Sequence, residues 1–125
     1  MKILVVDDFG TTRRIIKKLL RDIGYSDVDE AEDGLDAISR LDSMHFDFVV
    51  TDWNMPNVSG LELVKHIRQT KNVNELPILM VSAETKREMI IEAVQAGVNG
   101  YITKPFNEDD LKSKIQKILE RFQQS

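Results

Sequence analysis

A doubly wound parallel α/β sheet is the fold class this sequence predicts, on three observations. Short β-rich runs alternate with helical stretches along the whole 125-residue chain. Most of the runs are apolar without an in-and-out alternation, the pattern of strands covered on both faces. The stretches between them carry apolar residues at three- and four-residue spacing, as amphipathic helices do when they lie on a sheet. A βα unit repeated five times requires right-handed crossovers and places helices on both faces.

The elements follow in order. "KILVV" (2–6) reads as the first strand. Ile15, Ile16, Leu19, Leu20 and Ile23 then recur at helical spacing, with Arg13, Arg14, Lys17, Lys18 and Arg21 on the opposite face and Gly24 as a stop. "DVDEAE" (27–32) is far more polar; as a strand it belongs at a sheet edge. Leu35, Ile38 and Leu41 suggest the second helix, "FDFVV" (46–50) the third strand, and Leu61, Val64 and Ile67 the third helix. "PILMV" (77–81) precedes a fourth helix carrying Ile90, Ile91, Ala93 and Val94 and ended by Gly97. "GYIT" (100–103) precedes the cleanest stripe, Leu111, Ile115, Ile118, Leu119 and Phe122. Asn107 suits the cap of that helix, and Glu108, Asp109 and Asp110 suit the positive end of its dipole. With no linker or low-complexity tract, the expectation is one domain over residues 1–125.

Composition narrows the function. The 17 basic and 21 acidic residues give a formal net charge of −4, which on average repels nucleic acid and anionic membranes. There is no cysteine, so disulfides, thiolate metal sites and cysteine nucleophiles are excluded. No signal-peptide pattern opens the chain, and no apolar stretch approaches the roughly 20 residues that span a bilayer. The expected location is the cytoplasm. The string "DDFG" (7–10) contains the tripeptide with which protein kinases hold magnesium. A kinase needs about twice this length, a G-x-G-x-x-G loop before that tripeptide and an H-R-D motif, and none is present.

In open α/β sheets ligands bind beyond the carboxyl ends of the strands. Asp7 and Asp8 follow the first apolar run, Thr51 and Asp52 the third, Ser82 the fourth and Lys104 the fifth. Singly, an Asp there is most often a turn or cap residue; together they place three carboxylates, a hydroxyl and an ammonium on one edge. Crowded carboxylates stay ionised only when a cation joins them. Oxygen ligands without His or Cys point to a hard ion, and Mg²⁺ uses one or two carboxylates with waters and substrate phosphate oxygens. Lys104 adds a point charge suited to a phosphate oxygen, which leaves Asp52 as a nucleophile and Ser82 as a hydrogen-bond donor to its product. The pattern reads as a magnesium-dependent aspartyl-phosphate site.

At "VVDDF", "TDWNMPNVSG", "PILMVSAE" and "AGVNGYITKPF" the chain resembles the receiver domains of two-component response regulators, over essentially its whole length, and in particular their stand-alone chemotaxis type. That resemblance implies a flavodoxin-like (βα)5 fold with strand order 2-1-3-4-5. It implies that Asp52 accepts a phosphoryl group from a phosphohistidine of a chemotaxis-type sensor histidine kinase. Asp8, Asp52 and the backbone carbonyl of Asn54 would ligate Mg²⁺, with Asp7 acting through water. Lys104 would contact the phosphoryl group and precede a cis proline bond. Ser82 would turn towards the phosphate and Tyr101 would move into the vacated space, switching a surface made of the fourth helix, the fifth strand and the last helix. The implied partners are the kinase, the flagellar switch protein and a phosphatase, with no nucleic acid or membrane and a monomeric state. The implied protein is a switch and not an enzyme, beyond its own phosphorylation and dephosphorylation.

Two other readings stay open: a phosphorelay shuttle or phosphate sink, and a magnesium-dependent phosphohydrolase or mutase. Against the last, Asn54 stands where such enzymes carry a second acid–base carboxylate. Several positions depart from the chemotaxis pattern. Ser82 replaces the usual Thr, Gly10 and Thr12 replace a commoner Ser and Met, and Glu108–Asp110 add acids beside the output surface. Gly10, permissive at positive φ, is expected to loosen the loop carrying Asp8. The basic stripe of the first helix reads as a solvated face, part of which could dock an acidic kinase or phosphatase segment. His45 and His66 read as surface or packing residues, and Trp53, next to the acceptor, as a fluorescence reporter.

Overall fold

The computed structural model describes residues 1–124, with side chains as far as Phe122. Strands β1 (Ile3–Val6), β2 (Val28–Ala31), β3 (Phe48–Thr51), β4 (Ile78–Ser82) and β5 (Gly100–Thr103) form one parallel sheet in the order β2-β1-β3-β4-β5. They alternate with α1 (Gly10–Ile23), α2 (Gly34–Ser43), α3 (Gly60–Arg68), α4 (Arg87–Ala96) and α5 (Glu108–Gln124). The polar second strand lies at the edge, as its composition requires.

Successive residues of the central strands feed two separate cores. Leu4, Val6, Val49, Ile78 and Met80 pack with Ala37, Leu63, Val64, Ile67 and Ala93 of α2, α3 and α4. Ile3, Val5, Phe48, Val50, Leu79 and Val81 pack on the other face with Ile16, Leu20, Leu111, Ile115 and Ile118 of α1 and α5. Burial on both faces is why these strands read as continuous apolar runs.

The helix ends follow local chemistry. Ser59 and Glu62 form a reciprocal capping box on α3. Asn107 and Asp110 do the same for α5: the Asp110 amide donates to Asn107 Oδ1 at 2.8 Å, and the Asn107 amide to Asp110 Oδ2 at 3.1 Å. Gly24 and Gly97, at φ of 123° and 114°, end α1 and α4.

Three expectations need correction. Ile15, Leu35, Ile91 and Val94 lie on the predicted apolar stripes yet are exposed, because the sheet covers only part of each stripe. The basic face of α1 is not wholly free in solvent: Arg13 Nε and Lys17 Nζ reach Glu30 at 3.2 and 3.7 Å, tying the helix to the edge strand. Gly10 is not a loop residue at positive φ but the first residue of α1, and a Cβ there would meet only the ends of Arg13 and Arg14, at 3.5 and 3.8 Å. Gly10→Ala should therefore stabilise the fold by about 0.5 kcal/mol, through lower unfolded-chain entropy. A higher urea midpoint at constant m-value checks this; a lower midpoint would contradict it.

Candidate functional site

Strand register builds the site. Val6 of β1 pairs with both Ala31 and Thr51, so Asp7 and Asp52, each one residue further on, lie side by side beyond the strand ends. The Asp52 amide donates to the Val6 carbonyl at 3.0 Å, and the Asp7 amide to Ala31 at 3.2 Å, which continues the ladder by one residue on each side. Ser82 pairs with Thr103, and the Lys104 amide donates to the Ser82 carbonyl at 2.9 Å. The Lys104–Pro105 bond is cis.

Asp7 and Asp52 are buried, and Lys104 reaches both from the fifth strand: its Nζ lies 3.3 Å from Asp7 Oδ2 and 3.2 Å from Asp52 Oδ2. The second oxygen of each carboxylate is occupied locally. The Phe9 amide donates to Asp7 Oδ1 at 2.9 Å, and the Trp53 amide to Asp52 Oδ1 at 2.7 Å. Burial pushes the Asp52 carboxyl up from its ordinary value. The Lys104 ammonium and the Trp53 amide oppose that rise, and the neighbouring Asp7 adds to it.

Asp8 completes the group. Asp7, Asp8 and Asp52 each offer a carboxylate oxygen, all within 4.8 Å of one another. Asp8 Oδ1 is buried without a hydrogen-bond donor among the described residues, a costly arrangement for a carboxylate oxygen unless a cation joins it. Lys104 bonds to the other two carboxylates only. An orphaned buried oxygen in an all-oxygen acidic cluster fits a hard divalent cation, the kind of ion Mg²⁺ is. Asn54 lies exposed in the irregular stretch between β3 and α3, and its carbonyl accepts no backbone hydrogen bond among the described residues.

Ser82 and Tyr101 are connected by a route that sequence does not reveal. Ser82 Oγ accepts from the Glu84 amide at 3.1 Å, and the Tyr101 hydroxyl donates to the Glu84 carbonyl at 2.8 Å. The backbone of Glu84 thus links the buried hydroxyl to the half-buried aromatic ring. Arg13 was likewise legible only as a surface charge, yet its Nη1 donates to the Asp7 carbonyl at 2.7 Å and steadies the acidic turn. His45 is exposed and bonded to Asp47, and His66 is exposed; both lie apart from the site.

Trp53 is 6% exposed, and its amide is bonded to the Asp52 carboxylate. Its emission should therefore change as Mg²⁺ is titrated, with saturation at one ion per chain. Asp8→Ala should weaken the midpoint at least about tenfold, as loss of a direct carboxylate ligand would. An unchanged midpoint in that variant would place the ion elsewhere.

An acidic triad and a lysine on the carboxyl edge of a 2-1-3-4-5 sheet define a receiver domain. The family model described as "Response regulator receiver domain" matches residues 3–116, and the chain belongs to that family. Within it the chain is CheY-like. It is 60% identical over 121 residues to "Chemotaxis protein CheY-3" of Vibrio cholerae, covering 97% of this chain and 93% of that protein. To "Chemotaxis protein CheY" of Pseudomonas aeruginosa it is 58% identical, covering 97% and 98%. Among solved structures, chemotaxis protein CheY4 of Vibrio cholerae superposes with a TM-score of 0.85 at 36% identity, covering 94% of this chain and 97% of that one. CheY-like response regulators accept phosphoryl groups from histidine kinases and act on downstream targets; they are regulators and not conventional enzymes. No helix among the described residues is long and apolar enough to cross a membrane.

Proposed function

We propose that this chain is a single-domain, cytoplasmic, monomeric response regulator whose phosphoacceptor is Asp52. The observation that carries this is the pairing of a buried, one-side-anchored Asp52 carboxylate with the Lys104 ammonium, beside the orphaned Asp8 oxygen. Asp8 and Asp52 would hold Mg²⁺ directly with the Asn54 carbonyl, and Asp7 through water. What the ion supplies when bound is neutralisation of phosphoryl charge.

The residues' own part can be derived. An Asp52 carboxylate oxygen attacks the phosphorus of a kinase phosphohistidine. The P–N bond breaks, its electron pair stays on the imidazole nitrogen, and an acyl-phosphate O–P bond forms. Lys104, already on Asp52, is placed to take up charge on the transferred group. Hydrolysis reverses the gain: water adds to phosphorus, the O–P bond breaks, and carboxylate and inorganic phosphate are returned.

Ser82 has a free choice of O–H direction, and a rotamer change that carries its Oγ towards a phosphoryl oxygen would draw it away from the Glu84 amide. That loosens Glu84, and with it the carbonyl on which the Tyr101 hydroxyl rests. Phosphorylation so reaches a groove lined by Ile90, Val94, Tyr101, Pro105, Asp110 and Lys114, between α4, β5 and α5. The partner there is the flagellar switch protein, in line with the chemotaxis role named for the relatives. A phosphorelay shuttle or phosphate sink shares the chemistry but passes the group on or discharges it instead of acting on that partner.

Acetyl phosphate with Mg²⁺ should add one phosphoryl mass to the intact protein, and EDTA should prevent it. A chain that stays unmodified while binding Mg²⁺ would sink the acceptor reading. Phosphorylation-independent binding to a flagellar switch peptide, or none, would favour the sink.

A further inference from the structure

Helix α4 is held very unequally at its two ends. Its C-terminal end is fastened by Arg68, the last residue of α3. Arg68 Nε donates to the Gly97 carbonyl at 2.9 Å, and Nη2 to Asn99 Oδ1 at 2.9 Å. Its Nη1 is shared among the carbonyls of Lys71, Asn72 and Leu76, at 3.1, 3.1 and 2.8 Å. Asn99 extends the clamp: its Oδ1 also accepts from the Ile78 amide at 2.9 Å, and its Nδ2 donates to the Val73 carbonyl at 3.0 Å. One guanidinium therefore joins the α3–β4 connection to the α4–β5 connection.

The fit is close. A Cβ on Gly97 would fall 2.9 Å from Arg68 Cγ, so the stem lies directly against the turn. No carboxylate is within ion-pair distance of Arg68 among the described residues; its partners are neutral carbonyl oxygens. Burial lowers its pKa to about 10, against a smaller opposing effect of Glu75, so the group stays charged at neutral pH. Its bonds are charge-assisted and stronger than neutral ones.

The N-terminal end is held more lightly among the described residues, by a 3.3 Å bond from the Lys86 amide to Glu84 Oε1 and by Met89, half-buried against the core. Lys86 stands at the N-cap with no side-chain cap bond, and the one fully buried residue of α4, Ala93, lies in its C-terminal half. The segment leading into that end, through Glu84, is held by Ser82 Oγ and the Tyr101 hydroxyl.

We infer that Arg68 is a positioning residue that makes the C-terminal end of α4 the fixed end, so that a change at Ser82 displaces the N-terminal end alone. The inference rests on the proposed phosphorylation of Asp52 and adds what decides the direction of the response. A lysine at this position could not replace the fork, because a single ammonium cannot reach carbonyls on both connections at once.

The test is amide hydrogen exchange on the full chain, with and without acetyl phosphate and Mg²⁺, with intact mass recorded in parallel. In the wild type, phosphorylation should alter exchange over residues 83–89 and leave 94–99 unchanged. In Arg68→Lys, basal exchange over 94–99 and 71–76 should rise about tenfold, as when a local opening becomes easier. The phosphorylation response should then spread to 94–99. That spread is what a merely stabilising arginine would not produce. Should R68K not fold, Asn99→Ala removes one acceptor of the same clamp and carries the same expectation. A wild-type response already reaching 94–99 overturns the inference, as does a variant with raised basal exchange whose response still stops at residue 89. Absence of a phosphate adduct overturns the acceptor reading and this one together, and the mass record distinguishes that outcome from the others.

Discussion

Asp52→Asn is expected to lose the phosphoryl adduct entirely and, in divalent-free buffer, to melt at a higher temperature than the wild type. The first effect follows from the proposed role of Asp52: an amide replaces the attacking carboxylate while Lys104, Asp7 and Asp8 stay in place. The second follows from linkage. Burial raises the Asp52 pKa in the folded chain above its unfolded value. Between those two values the native state holds the proton more often than the unfolded state does. Stability therefore falls as pH rises through that window, and the ionised carboxylate weighs against folding at neutral pH. The amide of Asn carries no charge and avoids this. Lys104 keeps Asp7 as its partner, so the substitution does not leave the ammonium unpaired. Mg²⁺ should reverse the order, because an ion bound only by the native wild-type chain stabilises it by mass action. Thermal melts of both proteins with EDTA and with Mg²⁺ check the crossing. A wild-type chain more stable than the variant in EDTA would contradict the electrostatic account. An adduct persisting in the variant would move the acceptor elsewhere. The same sign governs metal affinity: protonating Asp52 removes a proposed ligand, so Mg²⁺ binding should weaken as pH falls through its raised pKa.

Gly60→Ala should be the most damaging small substitution near the site. A Cβ at Gly60 would collide with the Asp52 carbonyl oxygen and fall 2.9 Å from Trp53 Cα. Both neighbours are backbone, and neither can swing aside as a side chain does. The Gly60 amide also donates to the Trp53 carbonyl at 2.7 Å, so the first turn of α3 is seated directly on the Asp52–Trp53 segment. Overpacking of a rigid contact costs about 3 kcal/mol or more. The urea midpoint should fall accordingly, and Mg²⁺ binding reported by Trp53 should weaken in the same variant, because the displaced backbone carries Asp52. An unfolding free energy within about 0.5 kcal/mol of wild type, the range of ordinary surface changes, would show that the contact can relax.

The close approach at Gly60 is invisible in the sequence. Gly60 lay inside a recognised string, "TDWNMPNVSG", yet nothing in that string says that a backbone will pass against its α-carbon. Gly10 shows the converse. Taken alone it promised a loosened loop, and the helix simply begins there. The amphipathic stripes placed every helix but misjudged Ile15, Leu35, Ile91 and Val94. Periodicity defines an apolar face on a helix; how far the sheet and neighbouring helices cover that face depends on how the helix is seated.

What the sequence by itself determined is the chemistry and the order of parts. Unalternating strands dictated a sheet buried on both faces, and the residues closing those strands placed Asp7, Asp8, Asp52, Ser82 and Lys104 on one edge. These are local or periodic properties, carried by residue type and spacing. The tertiary structure decided which atoms meet. Parallel register set Asp7 beside Asp52, left one Asp8 oxygen without a donor, joined Ser82 to Tyr101 through the Glu84 backbone, and brought Arg68 onto Gly97 and Asn99. Such contacts join residues distant in the chain through backbone carbonyls and amides. Every residue carries those groups, so no residue type announces them in advance.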